Sequence, residues 1–147
     1  MRPMLALTAA IAATALSTVG AMTSSAAVRG PKLTTVKSDY GKILANGRGR
    51  ALYLFTADTG KTSACYDDCA RAWPPYIVKA KPRAIDGAKP GLVGVTRRAD
   101  GRLQATYGGH SVYYYVGDNA PGEVLCQAVD EFGGHWYVLR ANGAVVR

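Results

Sequence analysis

The sequence predicts an all-β, mostly antiparallel fold in which two pseudo-symmetric repeats pack on a shared core, with one short helix. Three observations support this prediction. The segment 41–58 recurs without a gap as 101–118. The 147-residue chain contains 17 glycines and 9 tyrosines, and short apolar runs bounded by turn-forming residues are typical of strands. An apolar fraction of 48% excludes a wholly disordered chain.

The two copies of the repeat carry the same residues at positions spread along their length. Because one copy alone would expose an apolar sheet face, the copies are expected to pack against each other. Each copy also reaches a tryptophan further along the chain, Trp73 in the first and Trp136 in the second. The identical pairs are Gly41/Gly101, Ala45/Ala105, Gly49/Gly109, Tyr53/Tyr113 and Asp58/Asp118.

The first 27 residues have the features of a cleaved signal peptide. An apolar run that follows Arg2 ends near Met22, and Ser25 and Ala27 supply the small residues expected before a cleavage site. The alternative is a transmembrane anchor, since the run approaches the ~20 residues that span a bilayer. The several threonines and serines in the run and the cleavage site favour the signal peptide. Residues 1–27 are therefore expected to direct secretion and to be removed.

Cleavage would leave a single secreted domain, residues 28–147, with no transmembrane anchor. Its repeats are expected at about 33–78 and 92–143, joined by a loop at 79–91. The whole chain has a formal net charge of +8, and its basic residues are scattered. This distribution favours weak contact with anionic wall polymers over nucleic-acid binding. The scattered residues are Arg48, Arg50, Lys79, Lys81, Arg83, Arg97, Arg98 and Arg102.

Each repeat is predicted to contain a β-hairpin around a glycine-rich turn, because Asn-Gly and Gly-Gly provide the positive φ angles that tight hairpins require. The predicted hairpin strands are Ile43–Ala45 with Leu52–Phe55, and Leu103–Thr106 with Val112–Val116. Further strands are predicted at Leu33–Val36, Leu92–Thr96, Trp136–Leu139 and Ala144–Val146.

One short helix is predicted at Ala64–Ala72. Ser63 is placed to cap it, and Asp67 and Asp68 would lie in its first turn, where acidic side chains are favourable. The pair Pro74-Pro75 would prevent its continuation.

The chain has three cysteines, so one is left over after any pairing. Cys65 and Cys69 are four residues apart, which on one helix face would place their Cα atoms ~6 Å apart, within disulfide range. Secretion favours oxidation, so a structural Cys65–Cys69 disulfide is expected. Cys126 would then be a buried thiol or an intermolecular partner, and its pairing with one of the other two stays open.

Two motifs together resemble a known bacterial family. The first, Tyr-x-(Phe/Trp/Tyr)-x-x-Asp, occurs at Tyr53, Phe55 and Asp58 and again at Tyr113, Tyr115 and Asp118. The second, Cys-x3-Cys-Ala-x-x-Trp-Pro-Pro, covers residues 65–75. The resemblance is to the family called secreted repeat of unknown function, also described as predicted lipoproteins with the first motif. It covers about Leu33 to Gly143 and implies a secreted or cell-envelope protein of tandem repeats without an assigned chemistry.

The sequence departs from the family pattern in two places. A lipid-attachment cysteine after the apolar run is absent, so lipoprotein status does not carry over. Cys126 stands where relatives tend to have a glycine-rich stretch.

The tyrosine motif also permits a direct physical interpretation. Its two aromatic residues are two positions apart and share one face of a strand, while the aspartate follows in a turn. The simplest interpretation is that the rings are core and that the aspartate caps the turn. Alternatively, Asp58 and Asp118 face one pocket and bind a cation or a basic ligand. The candidate ligand-binding residues are Tyr53, Phe55, Asp58, Trp73, Tyr113, Tyr115, Asp118 and Trp136.

A metal site is the weaker alternative for the cysteines and histidines. Cys65, Cys69, His110 and His135 could form a Cys2His2 set, but their spacing is not that of known zinc motifs. No Cys-x-x-Cys-His haem motif is present. Both histidines follow glycine-rich turns and are expected at the surface, and no cofactor is expected.

The sequence lacks the standard enzyme signatures for serine hydrolases, phosphate-binding loops and zinc proteases. Asp130 and Glu131 are adjacent acids expected to be solvated on a loop. The expected function is a secreted, cell-envelope-associated, non-catalytic binding or structural module whose partner is an anionic cell-wall polymer or another envelope protein. The alternatives are a metal- or haem-linked redox accessory protein and a small secreted hydrolase.

Overall fold

The computed structural model describes residue 20 and residues 26–147, which form mainly short antiparallel strands. The predicted signal peptide lies almost wholly outside these residues. In the described part of the chain, no helix is both long and apolar enough to cross a membrane. The strands are β1 (Lys32–Ser38), β2 (Gly41–Asn46), β3 (Tyr53–Phe55), β4 (Ile77–Val78), β5 (Arg83–Ala84), β6 (Val93–Arg97), β7 (Leu103–Tyr107), β8 (His110–Ser111), β9 (Val129–Glu131) and β10 (Gly134–Val138), and the α-helix is α1 (Asp68–Ala72).

The strands form three small sheets. The first has the order β2-β1-β5, the second β3-β10-β9, and the third β4-β7-β6 with β8 also paired to β7. All pairs are antiparallel except β1 with β5. The predicted all-β, mostly antiparallel fold with one short helix is therefore confirmed.

The two predicted hairpins are present, but each is short. In the first, the amide of Leu52 donates to the carbonyl of Leu44 (3.1 Å), and in the second, that of Val112 donates to Ala105 (3.1 Å). The second arm of each hairpin then leaves its own repeat and meets the other copy. Tyr53 and Tyr113 exchange two backbone hydrogen bonds of 2.9 Å each, so the repeats join at equivalent residues.

The prediction of a strand over Val112–Val116 is wrong beyond an isolated bridge at Tyr113. This segment lies against Pro74 and Pro75, and the amide of Tyr114 donates to the carbonyl of Pro74 (2.8 Å). Because prolines have no N–H, the ladder cannot continue along this edge. The prediction of a strand over Ala144–Val146 is also wrong, since the segment forms only a single bridge, from Val145 to Leu139.

The predicted helix is shorter than expected and lacks its predicted cap. It begins only at Asp68, after Asp67 with a φ of 51°, and no side chain caps it. The Ser63 hydroxyl instead accepts the amide N–H of Cys65 (3.1 Å), so it is engaged before the helix begins. The helix ends at Ala72, before the two prolines, as predicted.

The segment predicted as a connecting loop, residues 79–91, contains β5 and a 3₁₀ turn at Pro90–Leu92. Strand β5 pairs in parallel with β1, matching Arg83 with Lys32. The connection between the repeats therefore widens the first sheet instead of crossing the surface without pairing.

The core contains two clusters of buried side chains, and each cluster draws on both repeats. One is mainly aliphatic and includes Leu33, Leu44, Leu52, Tyr76, Val93, Ala105, Tyr107, Val112 and Leu139. The other is mainly aromatic and includes Ile43, Tyr53, Phe55, Cys65, Trp73, Tyr113, Trp136 and Val138. The repeats therefore share one core, as predicted.

Cys65 and Cys69 form the expected disulfide, with their Cα atoms 5.2 Å apart. The geometric reason given from the sequence is wrong, because Cys65 precedes α1 and does not lie on its face. The bond instead ties the incoming loop to the helix. Among the described residues Cys126 is a free, half-buried cysteine.

A Cys65→Ala/Cys69→Ala double variant is expected to lose about 2 kcal/mol of unfolding free energy, because the disulfide closes a short loop. Urea denaturation of the wild type and the variant measures the difference. Reductant should lower the stability of the wild type to that of the variant and leave the variant unchanged. A loss below ~0.5 kcal/mol, the range of neutral surface changes, would show that the disulfide does not support the fold.

Candidate functional site

Four aromatic rings form a stack through the centre of the molecule. Phe55 stacks on Trp136 (4.1 Å between centroids, 7° between planes), and Trp136 stacks on Trp73 (4.1 Å, 5°). Tyr115 continues the row at 4.8 Å from Trp73, tilted by 41°. The aromatic residue of each motif therefore contacts the tryptophan that belongs to the other repeat. We call these four residues the aromatic stack.

The first tyrosine of each motif packs its edge against the aromatic stack. Tyr53 lies 5.1 Å from Trp73, and Tyr113 lies 5.2 Å from Trp136, both nearly perpendicular. Both tryptophans and both tyrosines are fully buried. Edge-to-face contacts of this kind stabilise a core beyond the burial of area alone.

The hydroxyl of each buried tyrosine bonds to the aspartate of the other repeat. The Tyr53 hydroxyl donates to Oδ2 of Asp118 (2.6 Å), and the Tyr113 hydroxyl donates to Oδ2 of Asp58 (2.8 Å). Burial raises the pKa of both phenols and of both carboxyls. We call these two contacts the crossed Tyr–Asp pairs.

Each aspartate also holds the loop that follows it. Oδ1 of Asp58 accepts the amide N–H of Ala64 (2.8 Å), and Oδ1 of Asp118 accepts that of Leu125 (2.9 Å). The sequence predicted that each aspartate caps its own turn. In the structure, the backbone amide that each aspartate accepts lies several residues further along the chain. Both carboxylates contribute to the fold, because each of their oxygens accepts a hydrogen bond from another part of the protein.

The second repeat adds a buried arginine to this arrangement. Arg98 is only 4% exposed and donates to Oγ of Ser63 (3.0 Å) and to the carbonyl of Cys65 (2.6 Å). Ser63 Oγ lies 2.7 Å from the Tyr113 hydroxyl, which in turn bonds to Asp58. The expectation that Arg98 is one of the scattered surface cations is therefore wrong. Arg97 beside it is exposed, and no local pattern distinguishes the two.

Glu131 supports the aromatic stack from outside. Its Oε2 accepts the indole N–H of Trp73 (2.8 Å), and its backbone carbonyl accepts that of Trp136 (3.2 Å). The prediction that it lies on a loop is wrong, because it ends β9. Phe132 and Gly133 both have positive φ, as in a type I′ hairpin turn. The pair Gly133-Gly134 could therefore have predicted this hairpin.

Within residues 26–147, the four candidate metal ligands do not form a metal-binding group. Cys65 and Cys69 are bonded to each other, and metal binding by cysteine requires the thiolate. His135 is exposed on β10, while His110 is half-buried on β8. Across the described residues, no group of three or more His, Cys, Asp or Glu side chains is arranged to hold a metal ion.

A cleft of about 250 Å³ lies between the repeats and brings Asp58 together with His110. Asp58 comes from the first copy of the motif and His110 from the second hairpin. We call it the inter-repeat cleft. Its lining is half apolar and half polar and consists of Leu54, Phe55, Thr56, Asp58, His110, Tyr137, Val145 and Arg147.

The family model described as secreted repeat of unknown function matches residues 34–76 and, a second time, residues 94–140. These segments are the two copies identified by internal alignment, and each contains one tyrosine motif. No curated protein and no solved structure gives a significant match. The two matched segments cover more than half of the chain, which therefore belongs to the family of secreted repeats of unknown function.

Proposed function

We propose that this secreted protein is a non-catalytic, cell-envelope-associated module that binds anionic wall polymers through the sheet β2-β1-β5. Export through the N-terminal segment 1–27 would place it at the envelope. The observation that carries the proposal is a set of exposed, directly paired cations on this sheet. Lys37 pairs with Lys42, and Lys32 pairs with Arg83. We call these four residues the cationic sheet.

Like charges directly opposite each other on neighbouring strands destabilise a sheet. All four residues are exposed. The ion pairs in residues 26–147 join Arg71 to Asp68 and both Arg98 and Arg102 to Asp100, so none of them neutralises the cationic sheet. Lys32 and Lys37 are five positions apart on β1, so their two pairs face opposite sides of the sheet. A polyanion laid along one face would relieve the repulsion between Lys37 and Lys42.

Packing and hydrogen bonding explain the tyrosine motif without a reaction centre. Its rings lie in the core, and its carboxylates bond to tyrosines and backbone amides. The motif therefore supports a scaffold interpretation, in which binding is carried by surface residues outside the motif.

The proposal is tested with a purified phosphodiester-linked wall polymer as the probe. A Lys37→Gln/Lys42→Gln variant should bind the polymer at least about tenfold more weakly, since each lysine near an anionic surface contributes ~1 kcal/mol. A Lys61→Gln/Lys89→Gln variant has the same charge change at exposed residues outside the cationic sheet and serves as the control. Co-sedimentation at several salt concentrations measures both.

The stability of the two variants separates binding from folding. Removing the Lys37–Lys42 repulsion should leave the free energy of unfolding unchanged or slightly higher. The proposal is contradicted if the wild type does not bind the polymer at low salt. Equal weakening by the two double variants would also contradict it, because net charge alone would then account for the binding.

A further inference from the structure

We propose that the inter-repeat cleft binds a small zwitterion, an α-amino acid with an apolar side chain. This inference does not rest on the polymer contact, because it uses none of the residues of the cationic sheet. The cleft volume of about 250 Å³ lies below the ~300–1,000 Å³ of sites for drug-sized ligands, so the occupant is small.

The inter-repeat cleft has a different lining from the cavity of about 210 Å³ that lies against Arg50 and Asn119 in the other half. Leu54 and His110 line the cleft, and the aligned residues in the other copy are Tyr114 and Arg50. The Arg50 guanidinium lies 4.6 Å from the centre of the Tyr114 ring and donates to the carbonyl of Tyr115 (2.8 Å). A larger, stacked pair of side chains thus stands where Leu54 and His110 stand in the cleft.

The exposure of the two aspartates follows the same difference. Asp118 is 1% exposed, whereas Asp58 is only half-buried and lines the cleft. Each Asp58 oxygen accepts one internal hydrogen bond, from Ala64 or from Tyr113. A carboxylate oxygen can accept a second hydrogen bond, so Asp58 can receive an ammonium group from the cleft side.

Arg147 provides the opposite charge, and His110 adds a ring N–H that can donate a hydrogen bond. Within the described residues, neither side chain has a hydrogen bond or an ion pair, although both line the cleft. The planar guanidinium of Arg147 matches a carboxylate in geometry and charge. Thr56 accepts the His135 amide N–H through Oγ1 (2.8 Å), which leaves its hydroxyl proton for the same carboxylate.

The apolar part of the ligand has its own wall. Leu54, Tyr137 and Val145 line the cleft together with its acidic and basic groups. An ammonium at Asp58, a carboxylate at Arg147 and an aliphatic or aromatic side chain against these residues match the three kinds of group that the cleft presents.

Calorimetric titration with L-phenylalanine and L-leucine tests the inference. Two truncated probes are used beside them: phenethylamine, which lacks the carboxylate, and 3-phenylpropionate, which lacks the ammonium. At least one of the amino acids should bind, and each truncated probe should bind at least about tenfold more weakly than L-phenylalanine. Absence of binding by both amino acids at concentrations up to ~10 mM, weaker than any specific affinity, would overturn the inference, and so would equal binding by either truncated probe.

Two variants locate the binding. The closing variant Leu54→Tyr/His110→Arg introduces into the cleft the larger side-chain types found at Tyr114 and Arg50, and it should abolish binding. Arg147→Gln changes an exposed residue that the fold does not use and should weaken binding about tenfold, while Arg48→Gln, at another exposed arginine, should not. Unchanged affinity in Arg147→Gln would overturn the assignment even if the closing variant failed to fold. Polymer binding should be the same in Arg147→Gln as in the wild type, which separates this result from a failure of the proposed function.

Discussion

Replacing Trp136 by alanine is expected to lower the free energy of unfolding by about 3–5 kcal/mol. Trp136 is fully buried and lies between two parallel rings, Phe55 on one side and Trp73 on the other. Its removal leaves a cavity in the aromatic stack. It also removes the contacts that the second repeat makes through Trp136 with Phe55 and Trp73 of the first. Small domains have a total stability of about 5–15 kcal/mol, so the variant should lose a large fraction of the stability of a domain of this size.

The measurement is chemical denaturation followed by the fluorescence of Trp73, with circular dichroism as the second probe. Phe132→Ala is the matched control, because Phe132 lies on the same hairpin but is 48% exposed. The control should change stability by no more than ~0.5 kcal/mol. A loss below ~1 kcal/mol in Trp136→Ala would contradict the structure of the aromatic stack.

Replacing Tyr53 by phenylalanine is expected to cost about 1–3 kcal/mol, although it removes a single oxygen atom. The reason is that Oδ2 of Asp118, in a residue only 1% exposed, loses its hydrogen-bond donor. Tyr113→Phe should cost less, since water can reach the half-buried Asp58 through the inter-repeat cleft. Equilibrium unfolding of both variants gives the order.

Tyr40→Phe is the control for the loss of a hydroxyl, because Tyr40 is 40% exposed. It should change stability by less than ~0.5 kcal/mol. An equal effect at Tyr40 and Tyr53, or a larger effect at Tyr113 than at Tyr53, would contradict the role assigned to the buried carboxylate.

Much of the fold could be predicted because the sequence patterns that determine it are local and occur in both repeats. The repeat of 41–58 as 101–118 indicates two related units, and the alternation of aromatic residues indicates which face of each is buried. The Cys65–Cys69 disulfide followed from spacing and from secretion, although the helix that was expected to explain it begins later. The hairpin turns followed from Asn-Gly and Gly-Gly.

The partners of the motif residues could not be predicted, because they depend on how the copies cross. Tyr53 and Asp58 stand in one motif, yet each bonds to a residue of the other copy. Sequence spacing describes neighbours along one chain segment and carries no information on which copy supplies the partner. The burial of Arg98 likewise depends on a loop, Ser63–Cys65, that meets it only in the folded protein.

The inter-repeat cleft could not be predicted from the sequence either. Asp58 and His110 were each candidates, but for different chemistries. The copies differ at two positions that line the cleft, with Leu54 for Tyr114 and His110 for Arg50. Their effect depends on the side chains that fill the space, which alignment of the copies does not show.

The crossed Tyr–Asp pairs are the central claim, and two double-mutant cycles test them most directly. One cycle combines Tyr53→Phe with Asp118→Asn, and the other combines Tyr53→Phe with Asp58→Asn. The cross-repeat cycle should give a coupling energy of about 1 kcal/mol or more, while the cycle within one motif should be additive to within ~0.5 kcal/mol. Coupling between Tyr53 and Asp58 with additivity between Tyr53 and Asp118 would contradict the account.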